Sequence, residues 1–215
     1  IMSADVRVEG TWLAPRLAGF LDIRDGSGTV PSLGVRYSSI VGHARFMDDS
    51  LALDSLLLRT APANGSLRVS GSVRFTPLTN PLLNLRLVAS DFLASEIRGF
   101  LTLNVSGRMR LAGPFSAPTL TGSVTANRGA LYFADLVTKD VVDLDDPEFR
   151  DLLDQRFQRM LQRGYTTRNR FIDSLRVDNL TVKVGEAFWL RSNEANIQLG
   201  GEVRVDKLRR DYRVD

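Results

Sequence analysis

The 215-residue sequence predicts an all-β fold built by repetition, and three observations carry that prediction. Apolar and polar residues alternate with period two along most of the chain, the pattern of strands with one dry and one wet face. Turn formers interrupt the alternation at intervals suited to hairpins. A signature also occurs twice, about 103 residues apart: residues 6–33 laid over 109–136 without a gap bring Gly10 onto Gly113, Pro15 onto Pro118, Gly19 onto Gly122 and Gly26 onto Gly129. Apolar positions keep step, with Val6 and Val8 on Met109 and Leu111, Trp12 on Phe115, Leu17 on Leu120 and Leu21 on Val124. Self-similarity of this kind marks an elongated array.

The elements follow in order. Val6 and Val8 alternate with Asp5, Arg7 and Glu9 in the first strand, Trp12 and Pro15 form a corner, and Leu21 and Ile23 continue the apolar face. The segment 25–31, DGSGTVP, predicts a turn, with Gly26 and Gly28 free to take positive φ and Pro31 breaking the ladder. A strand from Gly34 to Phe46 then pairs with Leu51 to Leu58 across the polar turn at Asp48 to Ser50. In GSLRVSGSVRF, Leu67, Val69, Gly71, Val73 and Phe75 oppose Ser66, Arg68, Ser70, Ser72 and Arg74. After Pro77, Asn80 and Pro81 the apolar parity resumes at Leu83, Leu85 and Leu87, and again at Leu101, Leu103, Val105, Gly107, Met109 and Leu111.

The second signature copy leads to the only helical pattern. From Pro147 to Arg163, Phe149, Leu152, Leu153, Phe157, Met160 and Leu161 recur at three- and four-residue steps. Asp146 suits an N-cap, Pro147 the first helical position and Gly164 the residue after the end. The β pattern returns at Leu175 and Val177, then Leu180, Val182 and Val184, then Phe188 and Leu190; the final strands carry Ala195, Ile197 and Leu199, then Val203 and Val205. The expected organisation is a repetitive β array over 1–146, an inserted amphipathic helix over 147–163 and a continuation of the array over 174–215.

Composition narrows the function. An apolar share of 43% with 25% charge describes a folding chain. The net charge of +3 is spread along strands without a stacking-aromatic patch, which argues against nucleic acid as a partner. With no cysteine there is no disulfide, thiolate metal site or cysteine nucleophile, and no run approaches the roughly 20 apolar residues of a spanning helix. The first residues lack the features of a signal peptide, and the pattern starts and stops inside strands, so the chain is expected to be part of something longer. Catalysis is not expected. His43 is the single histidine and sits in a strand pattern, and the acidic run Asp140, Asp143, Asp145, Asp146 and Glu148 lacks the glycine and terminal glutamate of an EF-hand. Gly26-Ser27-Gly28 lies outside the strand-to-helix setting a nucleotide site needs. No cofactor and no metal are expected.

The stretch Gly113 to Phe133, with its G-x4-P-x-L-x-G core, resembles the recurring strand signature of the TamB family within the AsmA-like group. The runs Gly185 to Ser192, Glu194 to Gly201 and Pro31 to Val35 are similar to that family too. What the resemblance implies is an elongated, strongly curved sheet, U-shaped or taco-like in section, with an apolar concave groove along it. It also implies a protein anchored in the inner membrane by an element outside this segment, crossing the periplasm towards an Omp85-type outer-membrane barrel. The family is linked to phospholipid movement between the two membranes and to assembly of outer-membrane proteins.

The residues support the lipid version by a separate route. Exposing an acyl chain of about 16 carbons to water costs roughly 12 kcal/mol at about 0.8 kcal/mol per methylene. A strand of about 10 residues spans roughly 33 Å, enough for its apolar side to curl around one or two such chains. The expected lining is Val69, Val73, Phe75, Leu85 and Leu87 in the first half, with Leu101, Leu103, Val105, Met109 and Leu111 beside them. It continues through Val124, Leu131 and Phe133 to Val182, Leu190, Ile197 and Leu199. Phospholipid acyl chains are the expected ligand, against the blander reading that the same parity is an ordinary packed core. The helix also has two readings: its stripe caps the sheet, or Phe149, Phe157 and Met160 form a lid over the groove. The alternative function is a chaperone-like or structural β module that binds unfolded strands of outer-membrane proteins.

Overall fold

The computed structural model describes residues 1–11, 14–60, 65–132, 174–192, 195–208 and 211–214. They form one sheet of 11 strands arranged in the order of the sequence. The strands are β1 (Met2–Gly10), β2 (Pro15–Val30), β3 (Val35–Asp48), β4 (Ser50–Arg59), β5 (Ser66–Arg74) and β6 (Leu82–Ile97). They continue as β7 (Leu101–Pro114), β8 (Thr119–Tyr132), β9 (Arg176–Arg191), β10 (Asn196–Leu208) and β11 (Asp211–Val214). β1 and β11 lie at opposite ends of this order, so the sheet is open and not closed into a barrel. All neighbours are antiparallel except β8 and β9, which run parallel. Hairpins throughout were the expectation; that one parallel step arises because the chain leaves β8 at Tyr132 and re-enters the sheet beside Thr119. The expected helix over 147–163 lies outside the described residues.

The duplicated signature is a duplicated hairpin. Register in the β1–β2 pair runs from Met2 against Ile23 to Gly10 against Pro15, and β7–β8 repeats it with Met109 against Gly122 where Val6 faces Gly19. The turns match as well: Ala14 N–H donates to the Thr11 carbonyl at 3.1 Å, and Ala117 N–H to the Pro114 carbonyl at 2.9 Å. Gly19 and Gly122 share an unusual backbone, φ 130° and 129°. In that conformation an added Cβ would collide with the Asp5 carbonyl oxygen at the first position and the Arg108 carbonyl oxygen at the second. Close approach of the neighbouring backbone is therefore what these glycines provide. Gly71 and Gly107 on the apolar parity act likewise, against the carbonyls of Asn84 and Ser123, so the missing side chains leave no room there for a ligand.

Three segments depart from the expected boundaries. The turn expected at 25–31 is instead strand up to Val30, with Gly26 opposite Ile40 and Gly28 opposite Tyr37; the chain reverses in a 3-10 turn at Pro31–Leu33 closed by Gly34 at φ 68°. Asp25, at φ 55°, takes the left-handed conformation expected of the glycines. The separate apolar runs from Val177 to Leu190 merge into β9, and those from Ile197 to Val205 into β10. Bulges absorb the slips of parity that make them look like separate pieces.

A compact core forms where the sheet meets itself. Val35 and Tyr37 from β3, Ala89 and Phe92 from β6, and Val105 from β7 are all buried and packed together. The Tyr37 and Phe92 rings stack with centroids 5.2 Å apart and planes 10° from parallel. β3 and β6 are separated by two strands, so in a flat sheet these rings would be about 14 Å apart. The sheet must therefore bend between them, and Ser95 Oγ–H donating to the Leu33 carbonyl at 3.3 Å fixes the same approach. Burial pushes the Tyr37 phenol above its ordinary pKa.

Candidate functional site: one apolar face

Register carries the apolar parity across the sheet. Val69 of β5 faces Leu87 of β6, Leu87 faces Met109 of β7, and Leu85 faces Leu111. Farther along the strands, Leu101 faces Leu131 of β8, Leu131 faces Leu190 of β9, and Leu190 faces Ile197 of β10. Val124 faces Val182, and Leu103 reaches Phe188 and Leu199 by way of Gly129. Val73 joins the set opposite Leu83, and Val105 opposite Phe92. The sequence-predicted lining residues that fall in these strands thus share one face. Phe75 follows β5 at its end, its amide donating to the Asp49 carbonyl at 2.7 Å. Phe133, Phe149, Phe157 and Met160 lie outside the described residues.

The face extends beyond the lining expected from the sequence, which included Leu85 but not Leu21, Ala44, Leu53, Val184 or Phe188. Leu21, Ala44, Leu53 and Leu85 are linked in register through Gly71, which extends the apolar parity back to Ala4 of β1. Phe188 and Val184 belong to it also, opposite Leu199 and Gly201. Irregularities near Asp25 and Ser39, each a non-glycine residue with positive φ, interrupt the count in β2 and β3, and one between Val184 and Ala187 does so in β9.

The face is not uniformly covered. Val105 retains 8% exposure and Leu103, Met109 and Val124 pack against the Tyr37–Phe92 cluster, so protein already fills that region. Ile197 keeps 44% exposure, and Val6 and Val8 keep 40% and 68%. Apart from β3 and the 3-10 turn against β6, the closest backbone approaches between described elements join strands adjacent in the sheet. From β5 to β9 the apolar side chains of this face are buried or half-buried, and its exposed ones lie in β1 and at Ile197 of β10.

The reverse face is mainly polar and solvated, although Phe20, Met47 and Leu82 are exposed on it. Arg45 holds Asp54 with two hydrogen bonds of 2.9 and 2.8 Å. That donation, helped by the guanidinium charge, keeps the Asp54 carboxyl below the usual carboxylate range. His43 Nδ1 lies 2.6 Å from Asp22 and its Nε2 3.5 Å from Asp54, which makes the lone histidine part of a cross-strand polar cluster. Arg110 donates to Asn84 at 3.0 Å, Lys183 pairs with Glu202 at 3.4 Å, and Arg128 pairs with Asp91. Among the described residues, no group of three or more His, Asp and Glu side chains is placed to hold a metal ion. Among them, too, no helix is long and apolar enough to cross a membrane.

These features define an open, strand-ordered sheet with one apolar and one polar side. The model of the TamB C-terminal domain matches residues 54–214, most of the chain, and the protein belongs to the TamB family. The match begins inside β4, so it contains the second signature copy while the first lies before it. No curated protein and no solved structure matches the chain.

Proposed function

We propose that this chain is a segment of a periplasmic bridge that conducts phospholipids between the inner and outer membranes, with the acyl chains lying on the apolar face. In this reading the sheet is curved along its length into a U-shaped groove, the headgroups project into solvent, and the segment performs no catalysis. An anchor in the inner membrane and an Omp85-type barrel at the outer membrane complete the path, both reached through regions beyond this segment.

The observation that carries the reading is the apolar parity running in register from β1 to β10, which stays exposed at Val6, Val8 and Ile197. An ordinary core would cover such a face. The roughly 0.8 kcal/mol gained per sheltered methylene gives hydrocarbon a physical reason to occupy it. Membership of the TamB family supports the same conclusion, since the family is linked to outer-membrane biogenesis.

Native mass spectrometry of the purified chain tests the proposal. Phospholipid retained on the protein, and lost from a variant with a charge on the apolar side, is the expected result. Leu103→Glu is a poor choice for that charge because Leu103 packs on the core cluster; an open position such as Ile197 is the better one, with Arg110→Glu on the reverse face as a tolerated control. Binding of unfolded strand peptides with no lipid would replace this reading by the chaperone-like one.

A further inference from the structure

We propose that the reverse face of β5 to β7 docks on the surface of a bilayer containing anionic phospholipid, through a field of four arginines that lack a counter-charge among the described residues. Docking uses the polar side of the sheet, and lipid held on the apolar side is a separate readout.

Register gathers the field from residues that are scattered in the sequence. Arg68 of β5 and Arg108 of β7 both lie opposite Val88 of β6, one on each side of it. Two positions along, Arg86 of β6 lies directly opposite Arg110 of β7. Strand spacing and rise place the four within about 10 Å by 7 Å, and all four are exposed. Like charges directly opposed on neighbouring strands are unfavourable, and little offsets them here. From Ser66 to Tyr132 the only acids are Asp91 and Glu96. Asp91 pairs with Arg128, and Glu96 lies at the far end of β6. Among the described residues no carboxylate pairs with the four arginines, and the side chain that accepts from Arg110, at 3.0 Å, is the neutral Asn84. Elsewhere on the same face cations are matched: Arg45 holds Asp54, Arg74 lies 3.8 Å from Asp49, and Lys183 pairs with Glu202.

The neighbours of the field select the kind of anion. Ser70 and Thr121 flank the Arg86–Arg110 pair, and Ser123 lies beside Arg108. Such short side chains let the guanidinium groups stand clear of a level surface, and their hydroxyls can donate to phosphate oxygens as well. Arginine binds phosphate in a bidentate manner, so an extended layer of phosphates complements the field in both charge and shape. Val88, 36% exposed among the arginines, supplies an apolar contact that a bilayer interface accepts. Single-stranded nucleic acid would call for aromatic side chains on which bases stack, and none lies opposite any of the four in register.

Cosedimentation of the 215-residue chain with vesicles tests the proposal. Phosphatidylcholine vesicles containing phosphatidylglycerol should carry the chain down at low salt, phosphatidylcholine alone should not, and binding should fall as salt is raised. Each arginine near an anionic surface contributes about fivefold in affinity, so Arg86→Gln combined with Arg110→Gln should weaken binding about 25-fold. Relief of the opposed charges should leave that variant unfolding at a urea concentration no lower than the parent's, which separates lost docking from lost folding. Arg7→Gln combined with Arg16→Gln is the control: it removes equal charge from the same side, beside Asp5 and Glu9 and at least three strand spacings, about 14 Å, from the field. It should change binding less than threefold. A chain that ignores phosphatidylglycerol at low salt would overturn the proposal, as would equal weakening by the two double variants. Capture of polyglutamate with no binding to vesicles would overturn it too, and give the face to an acidic protein partner.

Discussion

Replacing Ile197 by glutamate puts a carboxylate on an exposed part of the apolar face. Ile197 sits on β10 opposite Leu190 of β9 and keeps 44% of its surface accessible. Full burial of such a side chain is worth roughly 1.5–3 kcal/mol, so the open portion would give a lipid chain about 1 kcal/mol. A carboxylate held against hydrocarbon adds a penalty of roughly 2.5–3.5 kcal/mol. Together these predict a loss of about 4 kcal/mol, several-hundred-fold in phospholipid affinity. The folded protein is affected much less, because the carboxylate of the lipid-free chain reaches water; a cost of about 1 kcal/mol is expected from the apolar packing removed on the covered side. Lipid occupancy by native mass spectrometry and lipid transfer between donor and acceptor vesicles measure the first effect, and urea denaturation the second. Arg204→Glu is the control on the same strand, exposed on the reverse face opposite Thr181. Equal occupancy in Ile197→Glu and the parent chain, or an equal loss in both variants, would refute the assignment of the apolar face to lipid.

Phe92→Ala removes one ring of the stacked pair that joins β3 to β6, and should cost about 3–5 kcal/mol, read as a lower urea midpoint. Gly122→Ala should destabilise by at least about 1–3 kcal/mol, because φ is 129° and the new methyl meets the Arg108 carbonyl oxygen. Gly113→Ala should cost less despite its φ of 107°, since the nearest atom to an added Cβ, the Ala117 carbonyl oxygen, is 3.6 Å away; comparative thermal melts separate the two. The Asp54 carboxyl lies below its ordinary pKa because Arg45 donates to it, so its contribution to stability is present above the usual carboxylate pKa of about 3.9 and is lost as pH falls through the folded value. Urea midpoints recorded between about pH 6 and about pH 3 should therefore fall less steeply for Asp54→Asn than for the parent chain.

Alternation makes the two faces legible without coordinates, because in a strand it requires no knowledge of which strand lies alongside. Leu85, Leu111 and Ile197 fall in the apolar parity on that ground alone, and the matched glycines at 19 and 122 announce the repeated hairpin. Three features are not legible. Asp25 adopts positive φ where glycine is the expected carrier, so β2 runs on through an apparent turn. The parallel step from β8 to β9 depends on a long connection and not on any local pattern. The meeting of Tyr37 and Phe92 joins residues far apart in sequence, and each alone looks like one more apolar position in a strand. This is why Val105 and its neighbours, expected in the lining, are in part covered by protein.

Strand order that follows the sequence has a consequence for growth. From β1 to its counterpart β7 the sheet advances by six strand spacings, about 29 Å at roughly 4.8 Å each. No segment within that step has to be threaded between others, so copying the corresponding stretch of gene lengthens the sheet without rerouting the chain. Reach can thus be adjusted in hairpin increments of about 10 Å, and a gap between two surfaces can be matched by duplication or deletion alone.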